Sequence, residues 1–154
     1  MAANSDPIYS KVADIQQSTL PAATFLGPTA NTAQDGTGAI YPVYTADVTN
    51  GGFLQKLMMQ SISTVAATVM RVFISDAGLT VTSGALVGNT SANTHLIQEI
   101  GLPAVTVSQT VAAPHIELPL NMAVPPGMRI CVAFGTSTGA ATTGWNVTSV
   151  AGKY

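Results

Sequence analysis

Charge is what this chain has least of. Only 8% of its 154 residues are Asp, Glu, Lys or Arg, against roughly 25% in an ordinary globular chain. Solubility leans on charge density, so a free monomer with this surface is poorly kept apart from its neighbours. Some apolar surface is therefore expected to be covered by other subunits. The five basic residues, Lys11, Lys56, Arg71, Arg129 and Lys153, are scattered and the net charge is −2. Phosphate binding needs a basic patch, so no nucleic-acid partner is expected. Long apolar runs are missing too. The most apolar stretch, Val65 to Ile74, is interrupted by Arg71, and a membrane-spanning helix needs about 20 apolar residues. No membrane partner is expected. The start, Met1-Ala-Ala-Asn-Ser-Asp6, has neither the basic nor the apolar region of a secretory signal, which predicts synthesis in a cytosol. A single cysteine, Cys131, excludes an internal disulfide.

Residues that carry chemistry are equally sparse. The two histidines, His95 and His115, have no second histidine or cysteine at metal-ligand spacing. Asp76 and Glu99 offer oxygens to a cation, but not in the order of a calcium loop. Asp35-Gly-Thr-Gly38 superficially resembles the Asp-Thr-Gly of aspartic proteases, yet its order differs and one copy cannot supply two carboxylates sharing a proton. It lacks a G-x-G-x-x-G and a following helix, so no dinucleotide site is supported. An Asp-Gly turn before a strand is the simpler reading. Cys131, as a nucleophile with His95 or His115 as base, is outweighed by its place in Met128-Arg-Ile-Cys-Val-Ala-Phe134, where it behaves as a small hydrophobe. The sequons at Asn89 and Asn146 arise easily in a Thr-rich chain. The expectation is a non-enzymatic protein without cofactor or metal.

What is present is β pattern. From Thr29 onward, short runs rich in Val, Thr and Ala alternate with turn clusters, the signature of a sandwich or barrel. The runs are Ala39–Thr45, Phe53–Ile62, Thr68–Ser75, His95–Ile100, Val105–Val111, His115–Asn121, Met128–Phe134 and Gly144–Val150. Phe53, Leu57 and Met59 are assigned to one face of their strand, and Leu54, Met58 and Ile62 to the other with Lys56 and Gln60. Thr80 to Asn93 reads as a long loop or loose hairpin. Ala123-Val-Pro-Pro-Gly127 reads as a tight turn, with Gly127 supplying positive φ. The fold class is all-β, an antiparallel two-sheet sandwich of jelly-roll type, over residues 29–154. Residues 1–28 read as an N-terminal arm. Ser5 or Asp6 caps a short helix there, with Pro7 at its first position and Ile8, Val12 and Ile15 on one face. One or two turns cannot stand alone, so that face must dock on its own domain or on a neighbour.

Five segments carry a family resemblance. Thr29-Ala-Asn-Thr-Ala-Gln-Asp-Gly-Thr-Gly-Ala-Ile40 resembles a TANTARDGTG-like opening found in small tailed-phage virion proteins. Gly52 to Ser61 resembles the "x-I-x-x-I-x-I" strand that follows it there. Val69-Met-Arg-Val-Phe-Ile-Ser-Asp76 resembles "MxRLFIxD", and His95-Leu-Ile-Gln-Glu-Ile-Gly-Leu102 resembles "x-L-x-x-E-I-x-V". Leu118 to Gly127 resembles an "L-P-L-x-L-P-x-G" hairpin. The match runs over roughly residues 29–154, with a longer arm before Thr29 and an insertion around Val81 to Asn93. The resemblance implies a bacteriophage capsid decoration (cement) protein of jelly-roll type, a homotrimer on the capsid exterior made in the host bacterial cytoplasm. Its implied partners are the major capsid protein and itself. Ile8, Tyr9, Val12, Ile15 and Leu20 of the arm are the candidate contacts to capsid or subunit, ordering on binding. The rival is a carbohydrate- or receptor-binding jelly roll on a head fibre or tail, its stacking rings drawn from Trp145, Tyr154, Tyr41 and Tyr44. A jelly-roll isomerase or dioxygenase is a third class, and it would need a histidine-rich metal site.

Overall fold

A computed structural model describes residues 10–18, 25–78, 80–139 and 143–154. Eight long strands form two antiparallel sheets. They are β1 (Val12–Gln17), β2 (Tyr41–Thr45), β3 (Gly52–Ser61), β4 (Thr68–Ser75), β7 (Thr94–Leu102), β8 (His115–Val124), β9 (Arg129–Phe134) and β10 (Trp145–Lys153). A small hairpin, β5 (Val81–Thr82) with β6 (Ala85–Leu86), interrupts the path between β4 and β7. One sheet has the order β1-β10-β3-β8 and the other β2-β9-β4-β7. The chain crosses between sheets at most connections, and each late strand inserts beside an early one. With the hairpin set aside, this is the strand order of a jelly roll. No helix occurs among the described residues.

The core lies between the sheets, as alternation along the strands requires. Leu54, Leu57, Met59, Leu118, Trp145 and Val147 face inward from the first sheet. Met70, Val72, Ile130, Val132 and Phe134 meet them from the second. Each fully buried side chain of this size contributes roughly 1.5–3 kcal/mol relative to exposure. A second cluster sits outside the sandwich, on the outer face of the β2-β9-β4-β7 sheet. There Phe73, Cys131 and Ala133 are covered by Ile40, Ala77 and Leu86. The segment from Val81 to Asn93 thus folds back onto its own sheet, and Leu86 N donates to Ile40 O at 2.8 Å. That cover is why all six residues of β9 are buried.

Three sequence expectations need correction. The helical spacing of Val12 and Ile15 does not produce a helix over Val12–Gln17: those residues pair with Thr148–Lys153 as the first strand. A free edge on β10 offers a backbone ladder to β-branched residues, whereas two helical turns have only their own bonds. Val105–Val111 is not a strand but a loop held by the single bridges Val65–Val105 and Ser108–Val111. Finally, the faces of β3 are reassorted. An irregularity between Leu54 and Lys56 leaves Gln55 unpaired, so Leu54, Leu57 and Met59 point inward together, while Phe53, Lys56, Met58 and Gln60 point out. The turn at Ala123–Gly127 is as read, with Gly127 at φ 72° and Met128 N bonded to Pro125 O.

Candidate interaction surface

β1 carries the described part of the candidate contact set. Val12 and Ile15 are 61% and 66% exposed; Ile8, Tyr9 and Leu20 lie outside the described residues. The strand is amphipathic in an unusual sense, because its more buried residues are polar. Asp14 and Gln16 are half-buried. The Gln16 amide reaches across to the edge of β2, where its Nε2 donates to Thr45 O and its Oε1 accepts from Thr45 N, each at 2.9 Å. The side chain satisfies a donor and an acceptor of β2 as a neighbouring strand would. Gln16 Nε2 also donates to Asp14 Oδ2 at 2.9 Å. The clasp ties the two sheets together at one edge and leaves Ile15 facing solvent.

Around Ile15, the outer face of the β1-β10-β3-β8 sheet is a broad surface of low charge. Registered rows cross all four strands: Ile15, Val150, Lys56 and Pro119 form one, and Gln17, Thr148, Met58 and Glu117 the next. Asn146, Gln60 and His115 form a third. Lys56 and Glu117 neutralise each other at 2.7 Å, and His115 Nε2 lies 3.2 Å from the same carboxylate oxygen. These contacts, the lysine first, hold the Glu117 carboxyl below its ordinary pKa. A shallow depression of about 160 Å³ opens between the second and third rows.

The residues weighed for catalysis are dispersed. Cys131 is fully buried beneath Ile40 and Leu86, and burial pushes its thiol up to about 12. A thiolate nucleophile therefore does not form there at neutral pH. His95 lies on β7 and His115 on β8, in different sheets. Glu99 is engaged by Arg71 Nε at 2.7 Å. Among the described residues no group of three or more His, Cys, Asp or Glu side chains is placed to hold a metal. Of the rings suggested for sugar stacking, Trp145, Tyr41 and Tyr44 are buried, and Tyr154 is half-buried.

The segment Thr29–Ile40 is built as a stapled loop on the β2-β9-β4-β7 sheet. Asn31 is its centre. Its Nδ2 donates to Thr37 O and Ala39 O, and its Oδ1 accepts from Ala33 N. Its carbonyl accepts from Arg71 Nη1 at 2.8 Å. Asp35 closes a local turn on Thr37 through both backbone N–H and hydroxyl, which holds the Asp35 carboxyl below its ordinary pKa. Asn89, from the segment between β6 and β7, donates to Gly36 O and Gly38 O. Gly36 adopts φ +84°, and a Cβ there would collide with the Thr94 carbonyl. The residues of this motif are thus committed to the fold. Sequence reading missed the Gln16 clasp and the role of Asn89. Neither has a local signal, because each acts on backbone 29 or more residues away.

Comparison with family models, curated proteins and solved structures gives no match to this chain.

Proposed function

We propose that this protein is a structural virion protein that decorates and cements the outer surface of a tailed-phage capsid, acting as a homotrimer. The observation that carries the proposal is the charge-poor outer face around β1. On a charge-poor chain, Val12 and Ile15 stand exposed on an edge strand that is locked to both sheets and thereby held ready for contact. The jelly-roll strand order and the five segments resembling small phage virion proteins support the same reading. Cementing needs no catalysis. A trimer holding the shell through three copies of a modest contact gains by avidity, and it stabilises the shell by mass action because it engages the assembled surface.

Solution mass, by light scattering during size-exclusion chromatography, tests the assembly half of this proposal. A species at three times the 15.7 kDa chain mass is expected. A monodisperse monomer would overturn the trimer and remove the reason offered for the low charge. Deleting residues 2–28 is a poor test of the contact, because it also removes β1 and the fully buried Leu26. A point substitution at Ile15, which is exposed on the outer face opposite Gln16, is the cleaner choice.

A further inference from the structure

We propose that the depression on the outer face of the β1-β10-β3-β8 sheet binds a neutral, hydroxyl-rich ligand: one saccharide unit of a glycan. All four strands contribute to it. Gln17 comes from β1, Thr148 and Asn146 from β10, Met58 and Gln60 from β3, and His115 from β8. Among the described residues, no hydrogen bond engages the side chains of Gln17, Gln60, Asn146 or Thr148. Three amides and a hydroxyl therefore converge with their donors and acceptors free.

The lining defines the ligand class. An amide presents both a donor and an acceptor, which matches the dual character of a sugar hydroxyl. No lysine or arginine lines the depression, so a phosphate or sulfate has no counter-charge within it. Glu117 at the rim is already neutralised by Lys56, which leaves no uncompensated carboxylate for a cationic ligand. Met58 supplies a polarizable apolar patch against which the C–H face of a sugar ring can rest. The volume of about 160 Å³ is below the roughly 300–1,000 Å³ of sites for drug-sized molecules. It suits a single ring with the rest of the chain in solvent. Each site alone is weak, and several copies on one particle would add as avidity. This site is separate from the buried aromatics, and it stands whether or not the protein cements a capsid.

The test is NMR titration of the full-length ¹⁵N-labelled protein with methyl glucoside, methyl galactoside, methyl mannoside and N-acetylglucosamine. The side-chain NH₂ signals of Gln17, Gln60 and Asn146 report directly. At least one of these sugars is expected to shift those signals saturably. Gln60→Ala with Asn146→Ala, both at exposed positions, should weaken that binding about tenfold or more, the loss expected for two hydrogen bonds, with an unchanged backbone spectrum elsewhere. Wild-type signals that do not move with any of the four sugars would overturn the proposal. So would shifts that persist in the double variant, or broadening of the same signals with protein concentration alone, which would assign the face to a second copy.

Discussion

Replacing Asn31 with alanine isolates the staple that shapes the loop before β2. The substitution removes two donations, to Thr37 O and Ala39 O, and one acceptance from Ala33 N. Asn31 is only 6% exposed, so water does not readily replace what is lost. At a net 0.5–1.5 kcal/mol per bond, the cost is about 3 kcal/mol. In a domain of this length, that lowers Tm by roughly 6–12 °C. Asn93 provides the control. It also makes three side-chain hydrogen bonds, with Gly88 O, Thr90 N and Thr94 Oγ1, but at solvent-reachable positions. Asn93→Ala should cost about 1 kcal/mol or less, because water takes over. Asn31→Asp should be worse than Asn31→Ala, since an ionised carboxylate presents only acceptors to two carbonyls. Urea unfolding at one fixed protein concentration, chosen because assembly shifts the midpoint, measures all three. Equal losses at Asn31 and Asn93 would refute the assignment of the stabilisation to burial.

Two further expectations concern backbone and thiol. Gly36 and Gly88 share φ +84°, but a Cβ meets the Thr94 backbone at Gly36 and open space at Gly88. Gly88→Ala should cost only the left-handed strain of about 1–2 kcal/mol, and Gly36→Ala clearly more; equal Tm losses would show that Thr94 yields. Burial raises Cys131 from 9.0 to about 12 and Tyr44 from 10.0 to about 12. Both groups stay protonated longer in the fold than in the unfolded chain. Their contribution is therefore fully present below pH 9 and is lost as pH climbs towards about 12. Urea midpoints should fall across that window, and Cys131 should resist thiol reagents until the protein unfolds. Prompt labelling of the native protein at pH 8 would contradict the burial.

How much of this was legible in the sequence depends on the range of the interaction. Along β4 the alternation of the sequence carries over into the fold because the strand runs regularly against β9, with Met70 and Val72 inside and Arg71 and Phe73 outside. The covering of both faces of β9 has no local signal: Leu86 arrives from the β5–β6 hairpin, far earlier in the chain than Cys131. One extra residue, Gln55, was enough to reassort β3, since a slip of one reverses every later side chain. β1 failed for a different reason. Ile8, Val12 and Ile15 fit a helical stripe over a short window, and only the open edge of β10 decides for a strand. The depression on the outer face was invisible because its residues come from four strands that the register alone brings together.

Tailed-phage capsids of the kind the proposed function calls for, assembled without this protein, provide the most direct test. Purified protein should co-sediment with such shells and raise the temperature at which they rupture. Ile15→Asp, on the face of β1 opposite Asp14 and Gln16, leaves the Gln16 clasp intact and should stay folded and lose both effects. Wild-type protein that remains in the supernatant, with rupture temperature unchanged, would contradict the cementing role.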